Sequence, residues 1–218
     1  GFVAVCMGKG ITNILKDLGV DRVIEGGQTM NPSTDDILKA VKRVKAKTDY
    51  VFPNNKNIIM AANQAAELVE DKKIVVIPSK SVPQCISAMV EFNDKKSAEA
   101  NEKAMNKAIG RVTSGQLTYA VRDTEIDGIE IKKDDILGMV EGKIVTVGKD
   151  IDDVLNRVVS QMVDEDTEFL NVYYGKEIKK PQADVMLKAL ETKYADDEIE
   201  VSFKKGGQPL YYYIISAE

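Results

Sequence analysis

The feature that most constrains this chain is an alternation that runs through residues 1–92. Short runs rich in β-branched residues at 2–7, 20–24, 50–52 and 74–77 read as buried strands. Between them, residues 11–18, 35–45 and 57–70 read as helices. Apolar side chains return there at helical spacing: Ile37, Leu38, Val41 and Val44 share one face, and Ile58, Ala62, Ala66 and Val69 share another. Strand-helix-strand order of this length predicts a parallel sheet covered by helices on both sides and joined by right-handed crossovers.

A parallel sheet sends every strand exit to the same edge, where ligands bind in such folds. The four exits here are polar: Gly8-Lys9-Gly10, Gly26-Gly27-Gln28-Thr29, Pro53-Asn54-Asn55-Lys56-Asn57 and Pro78-Ser79-Lys80-Ser81. The second continues through Met30, Asn31 and Pro32 to Ser33 and Thr34, which suit a helix cap, and then to Asp35 and Asp36, which suit the positive end of a helix. Glycines that admit unusual backbone angles, amides, hydroxyls and the cations Lys9, Lys56 and Lys80 together favour an anionic group. The candidate ligand- or partner-binding residues are therefore Lys9, Gly26, Gly27, Gln28, Thr29, Asn31, Ser33, Asn54, Asn55, Lys56, Ser79, Lys80 and Ser81. The same residues are also what well-capped, solvated loops carry.

A polar break at 93–96 and an Ala-rich helix at 97–109 lead to a change of period. From residue 116 onward, short runs at 117–121, 128–131, 136–140 and 143–147 alternate with turn residues, as antiparallel hairpins do. A helix at 152–163, a strand at 169–174, a helix at 181–194 and strands at 198–203 and 210–216 complete the pattern. The expected architecture is a two-lobed α/β fold. Residues 1–112 form a lobe with a parallel sheet flanked by helices, and residues 113–218 a lobe with a mixed or antiparallel sheet and helices.

Composition narrows the chemistry. The chain has no histidine, which excludes a Ser-His-Asp or Cys-His nucleophile, a His-ligated zinc and a histidine base within it. The net charge of -5, with no long basic stripe, argues against nucleic acid as a partner. No apolar run approaches the roughly 20 residues that a membrane-spanning helix needs. Cys6 and Cys85 sit in apolar surroundings without metal or redox spacing, so inert core thiols in a reducing cytoplasm are expected. The acidic clusters Asp134-Asp135, Asp152-Asp153 and Asp164-Glu165-Asp166 fall at turns and helix ends, where they read as solvated caps. No exit has the full dinucleotide or P-loop pattern, so no nucleotide, catalytic residue or metal is assigned to this stretch. The start at Gly1, inside an expected strand and without a methionine, is expected of a piece of something longer.

Five motifs in order resemble one family. They are 26–34 (Gly-Gly-Gln-Thr-Met-Asn-Pro-Ser-Thr), 53–58 (Pro-Asn-Asn-Lys-Asn-Ile), 78–84 (Pro-Ser-Lys-Ser-Val-Pro-Gln), 118–123 (Thr-Tyr-Ala-Val-Arg-Asp) and the ending from Gly207-Gln208-Pro209 to Glu218. Over nearly the whole chain they resemble the C-terminal domain of the ATP-binding subunit of bacterial fatty acid kinase, a group also described as dihydroxyacetone-kinase-like. The resemblance implies a fold like that of the DegV-type fatty-acid-binding proteins. It implies that ATP and magnesium belong to an N-terminal domain outside this stretch and that no cofactor belongs to the stretch itself. It also implies a DegV-type fatty-acid-binding partner that presents the acyl carboxylate, which becomes acyl phosphate for phospholipid synthesis. In that reading this domain docks the partner and is not itself catalytic. The alternative is a DegV-type module that binds a lipid or small anion, with residues 29–34 matching the turn that grips the carboxylate in those relatives. A homodimer of the full-length protein is a further expectation. Dihydroxyacetone kinases hold their substrate covalently through a histidine, which this chain lacks.

Overall fold

The computed structural model describes residues 1–27 and 31–218, which divide into two compact units, Gly1–Val112 and Thr113–Glu218. Gln28, Thr29 and Met30, of which the first two are candidate site residues, lie outside the described residues.

In the first unit the strands β1 (Phe2–Cys6), β2 (Arg22–Glu25), β3 (Thr48–Phe52) and β4 (Lys73–Val76) form a parallel sheet in the order β2-β1-β3-β4. Helix α1 (Lys9–Asp17) links β1 to β2, α2 (Thr34–Lys42) links β2 to β3, and α3 (Ile59–Glu67) links β3 to β4. Side chains alternate across a strand, and the core follows that rule. Val3, Val5 and Val51 pack against Ile37 and Val41 of α2 and Ala62 and Ala65 of α3. The opposite face takes Cys6, whose Sγ lies 3.5 Å from Thr12 Oγ1 of α1, and Tyr50, whose hydroxyl donates to Ala98 O at 3.3 Å. Helices thus cover both faces, as the alternation predicts.

Helix α4 (Val82–Val90) is not anticipated by the sequence reading, because Pro83 and an unbroken apolar run disguise it. Pro83 sits in the first turn, where its missing N–H costs nothing, and Ser81 caps the helix by accepting from Gln84 N. Helix α5 (Ala98–Ile109) follows, capped by Ser97.

The second unit is built on a six-stranded sheet in the order β11-β10-β12-β5-β8-β9, formed by β5 (Thr113–Tyr119), β8 (Ile136–Val140), β9 (Lys143–Gly148), β10 (Phe169–Tyr174), β11 (Glu200–Lys205) and β12 (Tyr213–Ala217). The β10–β11 pair is parallel and the others are antiparallel, so the sheet is mixed as expected. Helices α6 (Ile151–Met162) and α7 (Lys180–Lys193) share one core with Leu117, Leu170, Val172, Tyr213 and Ile215. These sheet residues alternate along their strands, so one face carries both helices. Gly115 and Gly138 let α6 approach the sheet: an added Cβ would lie 2.3 Å from Met162 Sδ and 2.4 Å from Val158 Cγ2, respectively.

Two boundaries differ from the sequence reading. The run expected at 117–121 ends at Tyr119, and residues 124–131 form a separate hairpin, β6 (Thr124–Ile126) with β7 (Ile129–Ile131), turned by Asp127 at φ 52 and Gly128 at φ 78. The last strand starts at Tyr213, because Leu210 holds a left-handed φ of 69 that no ladder accommodates. Among the described residues no helix is long and apolar enough to cross a membrane.

Candidate functional site

The strand order decides where a ligand fits best in the first unit. Chain connections leave β1 toward β2 on one side and β3 toward β4 on the other, and their helices α1 and α3 depart to opposite faces of the sheet. The order therefore reverses between β1 and β3. At such a reversal the two loops part and leave a crevice at the carboxyl edge. Its walls start from Met7, Gly8 and Lys9 after β1, and from Pro53, Asn54, Asn55 and Lys56 after β3. Gly26 and Gly27 follow β2 on one flank; Ser79, Lys80 and Ser81 follow β4 on the other.

Several of the candidate polar side chains serve the fold at this edge. Asn54, at a left-handed φ of 56, donates its backbone N–H to Ser79 Oγ at 3.2 Å and its Nδ2 to Val5 O at 2.9 Å. The fully buried Ser79 hydroxyl donates back to Asn54 Oδ1 at 2.7 Å. One asparagine thus fastens the exits of β1, β3 and β4 together. Asn55 is buried and accepts from Asn57 N at 2.9 Å, which sets up the turn into α3. Gln84, also buried, accepts from Lys80 N at 2.7 Å. Gly26 N donates to Cys6 O, and a Cβ on Gly27 would lie 2.9 Å from Met7 Sδ, which ties the β2 exit to that of β1.

Ser33 is engaged in a capping box: its Oγ accepts from Asp36 N, and Asp36 Oδ2 accepts from Ser33 N and Oγ at 2.9 and 2.7 Å. These bonds from the hydroxyl and then the backbone hold the Asp36 carboxyl below its ordinary range. Asn31 is exposed and sits apart from the crevice, beside β2 and α2.

What the edge offers outward is charge. Lys9, Lys56 and Lys80 are all exposed, and none has an ion-pair partner among the described residues. The two helices that flank the crevice add to this. α1 starts from Gly8 and α3 from Ile58, each without a capping side chain or an acidic residue in its first turn, whereas α2, α4, α5 and α6 are capped by Ser33, Ser81, Ser97 and Asp150. The positive ends of α1 and α3 are thus uncompensated from within.

The thiols behind this edge are inert. Burial pushes both Cys6 and Cys85 up from the ordinary thiol range, so neither is a thiolate near neutrality. Among the described residues no three His, Cys, Asp or Glu side chains converge as a metal centre requires. The donor set does not fit magnesium, and no nucleotide step is assigned to these residues.

The second unit contains a feature that the sequence reading passes over as one of two Gly-Gly-Gln tripeptides. Gly206, Gly207 and Gln208 leave β11 beside Gly175, which leaves its parallel neighbour β10. Gln208 is 2% exposed, donates Nε2 to Tyr173 O at 2.7 Å, and leaves Oε1 without a partner. Gly175 tolerates no side chain, since a Cβ would lie 2.1 Å from Tyr211 O. A buried amide next to paired glycines is the signal that could have identified this turn.

Comparison with known proteins bears on the whole chain. The family of FakA-like C-terminal domains, named for the A-like subunit of fatty acid kinase, matches residues 1–218. Protein YloV of Bacillus subtilis strain 168 is 49% identical over 218 residues, which is 100% of this chain and 39% of that protein. The chain thus spans 39% of the length of the curated relatives it matches. Among solved structures, DegV, a fatty acid binding protein from Bacillus subtilis, has a TM-score of 0.67 at 13% identity, covering 100% of this chain and 98% of that one. The Streptococcus pneumoniae Fatty Acid Kinase (Fak) B3 protein loaded with linoleic acid has a TM-score of 0.55 at 12% identity, covering 86% and 76%. At such identities the likeness is one of fold.

Proposed function

The chain belongs to the family of FakA-like C-terminal domains of fatty acid kinase, and from that premise we propose that it is the recognition part of a larger kinase subunit. In this reading its carboxyl edge docks a DegV-type fatty-acid-binding protein in the cytoplasm, so that the acyl carboxylate reaches the phosphorylating domain. The observation that carries the reading is the reversal of strand order between β1 and β3, with Lys9 and Lys56 on its two sides.

Exposed ammonium groups and uncapped helix starts favour carboxylates of a partner or ligand by charge, and they steer its approach. The Asn54–Ser79 fastening supplies rigidity, because it holds the exits in one arrangement before a partner arrives. The chain's own residues thus bind and orient. Phosphoryl transfer, with ATP and magnesium, is assigned to the rest of the longer protein, and the acyl phosphate to later phospholipid synthesis.

Calorimetric titration of an oleate-loaded DegV-type protein into the 218-residue chain tests this. Saturable binding that weakens about tenfold or more in a Lys9→Glu, Lys56→Glu double variant is expected; unchanged affinity discards the edge.

A second reading, direct binding of a fatty acid by this chain, is favoured by the fold it shares with DegV over 100% of its length. Titration of the delipidated chain with oleate separates the two, since direct binding requires saturation without any partner protein.

A further inference from the structure

A second recognition surface lies in the first unit, away from the carboxyl-edge crevice. A groove of about 510 Å³ is lined by Arg22, Val23, Ile24 and Glu25, which are all of β2, and by Asp36, Lys39, Ala40 and Arg43 of α2 and its C-cap. Successive residues of a strand point to opposite faces. A groove that touches four in a row therefore lies along the strand's edge and not over one face. β2 is the terminal strand of its sheet, paired only with β1, so half of its backbone N–H and C=O groups have no ladder partner. Opposite it, positions 36, 39, 40 and 43 form one helical stripe.

The charges in the groove are graded. A crossover helix in a strand-helix-strand unit runs antiparallel to the strand before it, which sets the end of α2 beside the start of β2. Arg43 and Lys39 therefore stand toward Arg22, and Asp36 toward Glu25. Among the described residues neither Arg22 nor Arg43 has an ion-pair partner; Lys39 pairs with the exposed Asp35. Asp36 is committed to Ser33. One end of the groove is thus basic with two free guanidinium groups, and the other carries Glu25.

We propose that this groove takes an extended peptide segment of a partner protein, added as a fifth strand on β2 with its acidic end against Arg22, Lys39 and Arg43. Main-chain bonds to β2 would supply affinity, and the charge gradient would fix the direction of the added strand. A bidentate guanidinium is well matched to a peptide carboxylate. The proposal is independent of the carboxyl edge, since none of Lys9, Lys56 and Lys80 lines the groove.

The test uses a synthetic hexapeptide, Glu-Glu-Val-Thr-Val-Lys, and the same residues in reverse order, each titrated into the isotope-labelled 218-residue chain while amide shifts are followed by NMR. One of the two orders should bind saturably and move the amides of Arg22, Val23, Ile24 and Glu25. Binding should vanish when alternate peptide nitrogens are methylated, and it should weaken about tenfold or more in the Arg22→Glu, Arg43→Glu double variant. Both arginines are exposed, so the variant keeps the core intact. Shifts absent from β2, equal binding of the methylated peptide, or full displacement by an equal concentration of inorganic phosphate would overturn the proposal. The first two remove strand addition, and the third leaves only a patch for anions.

Discussion

The two edges of the first unit's sheet use lysine in opposite ways. At the carboxyl edge Lys9, Lys56 and Lys80 extend into solvent and tie nothing down. At the amino edge Lys72 is nearly buried: its Nζ bonds Asp49 Oδ2 at 3.0 Å, Val41 O at 3.0 Å and Val44 O, and Asp49 is 0% exposed. Lys72 thus closes the carbonyl end of α2 and joins it to β3. The difference lies in desolvation. A charge removed from water must be matched bond for bond, so Lys72 is fixed as part of the fold. A charge left in water costs nothing and remains free to meet a partner.

Three substitutions and one pH series would break or sharpen this contrast. The largest effect is expected at the amino edge. Lys72→Met leaves the buried Asp49 carboxylate and two helix carbonyls without their partner and should cost about 3–5 kcal/mol in urea unfolding. Adding Asp49→Asn to that variant should restore part of the loss, since it removes the orphaned charge.

A middle-sized effect belongs to the fastening behind the crevice. Ser79→Ala strands the Asn54 N–H and Oδ1 and should cost about 1–3 kcal/mol in the same assay. A loss no larger than that of an ordinary surface change would show that the Asn54 network is dispensable.

At the carboxyl edge, Lys9→Gln, Lys56→Gln and Lys80→Gln together should stay within roughly 0.5 kcal/mol of the parent in stability. The same triple variant should lose the partner affinity that the charges provide. A large drop in stability would erase the distinction between the two edges.

The smallest effect is a dependence on pH at the start of α2. The Ser33 hydroxyl and N–H hold the Asp36 carboxyl low. A carboxyl whose folded value is depressed stabilises above its ordinary range of about 4, and that contribution fades as pH falls through the folded value. Ser33→Ala removes both the cap and this dependence. The stability gap between parent and variant should therefore be widest near neutrality and narrow below about pH 4.

Much of the fold is legible in the sequence because it depends on local pattern. Helical spacing in α2 and β-branched runs in β1 and β3 place the parallel sheet, and the sheet alone places the four exits on one edge. The Ser33 and Ser81 caps belong to the same short-range class. The rest depends on distant pairs. Nothing near Asn54 announces that Ser79 will take its bonds, and nothing near Asp49 announces Lys72. The residues of these pairs are 25 and 23 positions apart. For this reason the sequence reading places the Asn54, Asn55 and Ser79 side chains outward at a ligand, where the fold gives them internal partners. Helix α4 escapes it because Pro83 reads as a breaker until its place in the first turn is known. The groove on β2 is hidden for the same reason as the pairs: an edge strand is defined by what fails to pair with it, which local pattern does not record.

Hydrogen exchange on the chain alone and on the chain mixed with an oleate-loaded DegV-type protein tests the central contrast most directly. Partner-induced protection should fall on residues 8–11, 54–58 and 79–82 at the carboxyl edge, while residues 46–49 and 71–73 at the amino edge stay as they are in the free chain. Protection concentrated at the amino edge, with the carboxyl edge unchanged, would contradict the account.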